Sequence, residues 1–329
     1  MTLNNTTKQL NTESHSTHDI FDRIFKRIIT LSSTTIVRFI NGVFNTDYPV
    51  SSTVSYNEKE NVNDNLRKTL ADSIITINGT DSYHLEAQMY KDDNSIMLRM
   101  FDYGYNHSRK NAEDIYDTDG VRCGIKLHFP SQVVIYLDSA GRIPDEYMVT
   151  LITDNNGEFT FNIPTIKFQE KPLDEITERN MIILLPFKLL KVRDSFKKAY
   201  ESNDHESLEN QISVLREIYE SDIINTIEGS FRNGDISRYD MNLLISLTRK
   251  LFDHLYSKYT DLKEVEEMRF YDQSLDLEID KYYDALEIIA QKDEELSQKD
   301  EELSQKDEEL SQKDEEIARL KEELKKYIS

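Results

Sequence analysis

The sequence contains a single cysteine, Cys123, among its 329 residues. One cysteine cannot close a disulfide within the chain, and it cannot supply a zinc cluster built on several thiolates. Small disulfide-stapled folds and cysteine-ligated zinc modules are therefore excluded. We expect Cys123 to be an ordinary buried thiol, because free cysteine behaves as a small hydrophobic side chain.

Long apolar runs are also missing. No stretch approaches the roughly 18 consecutive apolar residues that a membrane-spanning helix needs. The polar residues at the N-terminus lack the apolar segment of a secretion signal. We therefore expect a cytoplasmic protein with no membrane partner, and the Asn-, Thr- and Ser-rich residues 1–16 indicate a disordered lead.

Motifs of several common enzyme classes are absent from the sequence. It has no phosphate-binding Walker loop, no Gly-x-Gly-x-x-Gly dinucleotide motif and no Gly-x-Ser-x-Gly nucleophile elbow. The histidines include no His-x-x-x-His pair, which disfavours a zinc hydrolase. His84 is nevertheless predicted to share one face of a strand with Glu86.

Positive charge is scarce, and the formal net charge is −22. Its distribution is uneven, because residues 1–199 carry about −4 and residues 200–329 carry about −18. DNA binding requires Lys and Arg gathered on one face of the protein. The nearly neutral first part of the chain is compatible with such a face, provided that its basic residues are sorted onto it.

Composition and periodicity predict a globular body followed by a charged appendage, in four regions. We predict an α/β body over residues 17–199, after the disordered lead 1–16. A helical region is predicted over residues 200–274, where helix formers dominate. Residues 275–329 are predicted to form a long charged helix or coiled coil.

Within the body, helical spacing predicts one helix that begins near Ser16 and a second over residues 36–44. Residues 94–117 also favour a helix. Three later runs favour strands, at residues 132–138, 147–153 and 159–168. The segment MIILLPFKLLKVR contains Pro186, which favours a short strand or buried segment followed by a helix.

The segments ADSIITI and SYHLEAQMY flank an Asn78-Gly79 turn and predict a β-hairpin. Such a hairpin brings Asp72 close to Glu86, and period-two geometry places Glu86 and Gln88 on one face. Two carboxylates and the backbone carbonyl of Ala87 would suit Mg²⁺ or Mn²⁺, which prefer oxygen ligands. Gln88 would orient a water molecule or a phosphate. Spacing alone also fits ordinary solvent-facing strand residues.

Several motifs in the same order resemble the Rpn family of recombination-promoting nucleases and putative transposases. They are DRIFK (Asp22 to Lys26), the strand residue Asp72, EAQ (Glu86 to Gln88) and RMFDY (Arg99 to Tyr103). The segment IILLPFKLLKVR resembles the region that follows the core in some members. The resemblance covers roughly residues 19–193, more than half of the chain.

This family belongs to the PD-(D/E)XK nuclease superfamily, with Glu-x-Gln in place of acid-x-Lys. The resemblance implies a Mg²⁺-dependent DNA endonuclease with a restriction-endonuclease-like mixed sheet flanked by helices, acting in recombination, mobile-element movement or defence against foreign DNA. It implies catalytic roles for Asp72, Glu86 and Gln88, with Asp22 completing the site. It also implies that three further residues contact DNA or support the site, namely Lys26, Arg99 and Tyr103.

A different hypothesis is that the nuclease fold survives as a scaffold without catalysis. The acidic residues Asp81, Asp92 and Asp93 crowd the predicted hairpin ends, where a basic surface would suit DNA. The C-terminal helices would then mediate oligomerisation or bind a partner protein.

Residues 291–318 are four tandem heptads, QKDEELS three times and then QKDEEIA. Each unit places a Glu four residues before the next Lys, which stabilises a helix by a few tenths of a kcal/mol per pair. Each heptad places one apolar residue at one of its two seam positions and an Asp at the other. Carboxylates would face each other there in a parallel dimer, so pairing is disfavoured. Better apolar seams begin near residue 275, and we expect homo-oligomerisation to begin at that point.

A chain that ends at residue 270 is expected to assemble into particles with fewer chains than the full-length protein, because it lacks the predicted pairing helices. Light scattering gives the particle mass, and division by the mass of one chain gives the number of chains. An unchanged number of chains per particle would remove the assembly role assigned to the tail.

Overall fold

The computed structural model describes residues 20–56, 72–89, 95–138, 142–154, 157–202, 204–259 and 261–269. The chain up to Arg269 belongs to one compact unit. The predicted disordered lead, the predicted helix start at Ser16 and the predicted coiled coil over 275–329 lie outside the described residues.

Strands predominate in the first half of the described chain and helices in the second. Helix α1 covers residues 20–28. The later α-helices are α2 (Ser33–Phe44), α3 (Ser95–Lys110), α4 (Leu173–Glu178), α5 (Arg193–Glu201), α6 (His205–Arg216), α7 (Thr226–Arg232), α8 (Arg238–Tyr256) and α9 (Lys263–Arg269). Two 3-10 helices cover Phe168–Glu170 and Ile182–Val192, and a π-helix covers Glu217–Asn225. The strands are β1 (Val54–Tyr56), β2 (Asp72–Ile77), β3 (Asp81–Gln88), β4 (Glu113–Tyr116), β5 (Arg122–Lys126), β6 (Ser131–Tyr136), β7 (Glu146–Thr153) and β8 (Gly157–Lys167).

Among the described residues, six strands form one mixed sheet in the order β1-β2-β3-β6-β8-β7. The central strands β3, β6 and β8 are parallel, and the outer pairings are antiparallel. Helices α2 and α3 lie against opposite faces of β3, through the ring pairs Phe44–Tyr83 and Tyr103–His84. The prediction of a mixed sheet flanked by helices is confirmed, and its restriction-endonuclease-like character stays a prediction.

The predicted hairpin is present as β2 and β3. Asn78 and Gly79 both adopt positive φ, 53° and 72°, as the centre of a type I′ turn requires. The turn closes through a hydrogen bond from the Thr80 amide to the Ile77 carbonyl at 3.1 Å. This turn fixes the register of the two strands and places Asp72 directly opposite Glu86.

The helix predicted over residues 94–117 is shorter than expected. Helix α3 ends at Lys110, and residues Glu113–Tyr116 form β4, which pairs with β5. The Asp117 carboxylate accepts hydrogen bonds from the backbone amides of Asp119 and Val121 and so stabilises the intervening turn. This local turn favours a hairpin over continued helix.

The prediction that Cys123 is buried is wrong. Cys123 lies in β5 and is exposed. Strands β4 and β5 form a separate two-stranded sheet, and most of their residues are exposed on both faces. A thiol in this small sheet therefore has no core to enter.

The segment around Pro186 is buried, as predicted, but it forms the 3-10 helix Ile182–Val192 rather than a strand, and α5 follows it. The Tyr256 hydroxyl of α8 donates a hydrogen bond to the carbonyl of Leu189 in this segment at 2.8 Å. The helices after residue 200 therefore share a core with the body. The predicted domain boundary between residues 199 and 200 stays a prediction.

None of the described helices is both long and apolar enough to cross a membrane.

The buried carboxylate of Asp240 connects α8 with the N-terminal end of α2. Its oxygens accept hydrogen bonds from the Ser32 amide at 3.0 Å, the Ser32 hydroxyl at 2.5 Å and the Thr35 hydroxyl at 2.8 Å. Ser32 is the N-cap residue of α2, but its own side chain makes no capping bond. The positive end of the helix dipole of α2 also stabilises a negatively charged carboxylate at this position.

Replacing Asp240 with Ala is expected to lower the free energy of unfolding by about 3 kcal/mol, because three hydrogen bonds to one buried charged group are lost. Chemical denaturation measures the change. Asp235→Ala is the matched control, since Asp235 pairs with Arg38 of α2 at the surface, at 3.4 Å. The control is expected to lose less than about 1 kcal/mol, and equal losses would contradict the role of Asp240.

Candidate functional site

The two faces of β3 are both buried but chemically different. Tyr83, Leu85 and Ala87 face the apolar side, where the Tyr83 hydroxyl hydrogen-bonds that of Tyr48 at 2.6 Å. The opposite face carries three buried polar side chains, those of His84, Glu86 and Gln88. Three consecutive polar residues on one face of a central strand are costly unless their polar atoms are satisfied. This layer is therefore the candidate functional site.

Pairing between β2 and β3 positions the two predicted acidic ligands. Asp72 and Glu86 are direct cross-strand partners, and such partners have their Cβ atoms about 4.5–5.5 Å apart. The side chain of Asp72 lies outside the described part of the structure. The structure therefore shows the pairing of the Asp72 backbone with that of Glu86. The two residues are brought together as the sequence predicted.

Glu86 is fully buried, and its two carboxylate oxygens have different surroundings. Oε1 accepts a hydrogen bond from Gln88 Nε2 at 2.5 Å and forms an ion pair with Arg99 Nη2 at 3.3 Å. Oε2 has no hydrogen-bond partner within the described part of the chain. A buried carboxylate oxygen without a partner costs free energy, so it points to a ligand that the protein itself does not provide.

Helix α3 supplies the covering side of the site. Arg99 and Tyr103 lie one turn apart on it, Arg99 against Glu86 and the Tyr103 ring edge-on to the imidazole of His84, with ring centroids 5.7 Å apart. Gly104 allows α3 to lie close to the start of β6, because a Cβ there would lie 2.9 Å from the Phe129 ring and 3.0 Å from Gln132 Nε2. The predicted bracing positions on α3 therefore do contact the polar face of β3.

Sequence reasoning missed Gln132, which lies directly opposite His84 in the parallel β3–β6 pair. Its side-chain Nε2 contacts His84 Nδ1 at 3.0 Å and donates to the Met100 carbonyl of α3 at 2.6 Å. Gln132 thus connects both strands with the helix. The available signal was a glutamine in an otherwise apolar strand, QVVIYLD, but its partner was set by a nonlocal pairing.

His84 is uncharged in this setting. Burial, with a smaller contribution from the neighbouring His107, lowers the pKa of its imidazole to about 3. His84 therefore acts as a neutral hydrogen-bonding group at ordinary pH.

Asp22 and Lys26 form an ion pair with each other at 3.0 Å, one turn apart on α1. The Asp22 side chain is mostly buried, and that of Lys26 is mostly exposed. Their predicted roles, Asp22 in the site and Lys26 in DNA contact, stay predictions.

Among the described side chains, no group of three or more His, Cys, Asp and Glu residues is gathered to hold a metal ion. The donor set nevertheless fits a divalent cation in two respects. Glu86 Oε2 is an oxygen that lacks a partner, and Asp72 is paired across from it. A methyl group cannot bind a metal, so the backbone carbonyl of Ala87 is its candidate ligand.

Comparison of the chain with protein-family models, with curated proteins and with solved structures gave no match. The fold, the geometry of the site and the sequence motifs are therefore the basis for a functional proposal.

Replacing Arg99 with Met is expected to lower the free energy of unfolding by about 2–4 kcal/mol, because it leaves the buried Glu86 carboxylate uncompensated. In the Glu86→Gln background the same replacement should cost at least about 1 kcal/mol less. Chemical denaturation of the four proteins in this double-mutant cycle gives the coupling. Arg122→Met, which removes an exposed pair with Asp114, is the control and should cost less than about 1 kcal/mol. Strictly additive effects of the two site variants would contradict the ion pair.

Proposed function

We propose that this protein is a divalent-metal-dependent DNA endonuclease that hydrolyses phosphodiester bonds, a member of the Rpn type within the PD-(D/E)XK superfamily. One observation carries the proposal. The register of the β2–β3 hairpin sets Asp72 directly opposite Glu86, whose Oε2 lacks a partner. Recombination, mobile-element movement and defence against foreign DNA are the processes proposed for it.

The position of the site in the sheet supports this proposal. Glu86 and Gln88 lie at the carboxyl end of β3, beside the parallel strand β6, which in turn pairs in parallel with β8. In open α/β sheets the carboxyl ends of parallel strands are the usual place for a bound ligand. The motif residues are therefore at the edge of the sheet where a substrate would be met.

Asp72 and Glu86 would hold Mg²⁺ or Mn²⁺, with the Ala87 carbonyl as a further oxygen ligand. The cation would polarise the phosphodiester and lower the pKa of a bound water. Gln88, whose amide donates to Glu86 Oε1, holds that carboxylate in one orientation. Arg99 balances its negative charge and keeps Oε1 turned toward α3.

Two basic residues at the far end of α3, about 15 Å along the helix from Arg99, support DNA as the substrate. The last turn of α3 contains the exposed residues Arg109 and Lys110. These residues lie on the same helix as Arg99, and clustered basic side chains are what phosphate binding requires. Contact with the DNA backbone is proposed for this end of α3.

A second candidate function is a scaffold without catalysis, and one observation favours it. Glu86 Oε1 is already engaged by both Gln88 and Arg99, and such an arrangement also serves as a closed structural ion pair. The helices beyond residue 200 and the heptad tail would then bind a partner or a second copy of the chain.

Cleavage of supercoiled plasmid with Mg²⁺ or Mn²⁺ is expected for the wild-type protein and is expected to stop with EDTA. Asp72→Asn and Glu86→Gln should each lower the rate by at least about 100-fold, because even outer-shell partners of a metal are worth about 10- to 100-fold. Asp81→Asn removes the same charge from the other end of β3 and should cleave normally.

Circular dichroism establishes that the variants keep their fold. A folded wild-type protein that is as inert as both site variants would eliminate the endonuclease and leave the scaffold.

A further inference from the structure

The amide of Gln132 has a defined orientation. The Met100 carbonyl can only accept a hydrogen bond, so the Gln132 atom 2.6 Å from it must be the nitrogen. That same nitrogen is 3.0 Å from His84 Nδ1. An amide nitrogen carries two hydrogens and cannot accept, so one hydrogen goes to Met100 and the other to His84.

This donation determines the tautomer of His84. Because Nδ1 accepts a hydrogen from Gln132, it cannot carry its own, and the imidazole proton must be on Nε2. Nε2–H is therefore a donor. It is buried and has no hydrogen-bond partner among the residues that the structure describes.

An unmatched donor and an unmatched acceptor thus lie on one face of β3. His84 Nε2–H is the donor and Glu86 Oε2 is the acceptor, and the two residues are separated by one position. Residues at this spacing are about 6.6 Å apart along a strand. A direct hydrogen bond between the two atoms is absent, since both lack a partner. One water with two hydrogen bonds of about 2.8 Å joins polar atoms up to about 5.6 Å apart, so the ends of the two side chains share it when they incline toward each other by about 1 Å or more.

We propose that His84 and Glu86 hold one buried water molecule between them, which makes His84 a positioning residue for the candidate site. The water accepts a hydrogen bond from His84 Nε2–H and donates one to Glu86 Oε2. Both unmatched atoms are then satisfied, as buried polar groups normally are. Gln132 determines the arrangement indirectly, by fixing the tautomer.

The catalytic consequence rests on the proposed endonuclease function. A carboxylate oxygen has two lone pairs, so Glu86 Oε2 can accept from this water and also contact a cation. The water then fixes the direction of that oxygen from the side opposite Gln88. Outer-shell groups of this kind orient the ligands of a metal.

Two measurements on the wild-type protein test the water without requiring any activity. Nitrogen-15 NMR of histidine-labelled protein is expected to show His84 as the neutral Nε2–H tautomer. A high-resolution crystal structure is expected to show one ordered water within hydrogen-bond distance of His84 Nε2 and Glu86 Oε2. An Nδ1–H tautomer, or a His84 Nε2 that contacts only the Tyr103 ring with no water beside it, would overturn the proposal.

Two substitutions separate the role of Nε2 from simple packing. His84→Gln places an amide nitrogen near the position of Nε2 and should retain the water. His84→Asn keeps a polar atom near the position of Nδ1 for Gln132 but lacks the donor, and it should lose the water. Loss of the water in both variants, or retention in both, would contradict the assignment to Nε2.

Where plasmid cleavage is measurable, His84→Asn is expected to lower kcat by about tenfold or more with little change in KM. His84→Gln should recover most of that loss, which a purely structural role for the ring would not produce. An inert wild-type protein would overturn the endonuclease proposal alone, because the tautomer and the water are observed without substrate.

Discussion

Glu86 carries its carboxylate into a layer between the sheet and α3 where it has no exposed surface. A buried charge is tolerated only with a counter-charge and hydrogen bonds. Arg99 supplies the first and Gln88 the second. The polar face of β3 and the residues that α3 places on it follow from this requirement, which an apolar residue at position 86 would remove.

The same requirement explains why α3 lies so close to the sheet. Gly104 removes the side chain that would meet the Phe129 ring, and Gln132 donates to the Met100 carbonyl of the helix. These contacts fix the position of α3 on the sheet, and in that position Arg99 reaches Glu86. Asp240 performs a comparable role for α2, by binding its N-terminal residues from α8. Buried polar contacts of this kind specify how the layers are aligned, whereas apolar packing alone tolerates small shifts.

Local sequence signals predicted the part of the site that one hairpin builds. The Asn78-Gly79 turn set the register that pairs Asp72 with Glu86, and turn and alternation are both readable from adjacent residues. Gln132 was beyond such reasoning, because it meets His84 through parallel pairing 48 residues away. The contact of Asp240 with Ser32 spans 208 residues and likewise leaves no local trace. The end of α3 was misplaced because its polar and apolar pattern runs on into β4 without a proline or glycine.

If Asp72 and Glu86 share one divalent cation, as proposed, calorimetric titration with Mn²⁺ should detect one Mn²⁺ bound per wild-type chain. Binding should be strongly weakened in Asp72→Asn and Glu86→Gln proteins that remain folded. Absence of binding by the wild type, or binding that neither substitution changes, would contradict this proposal.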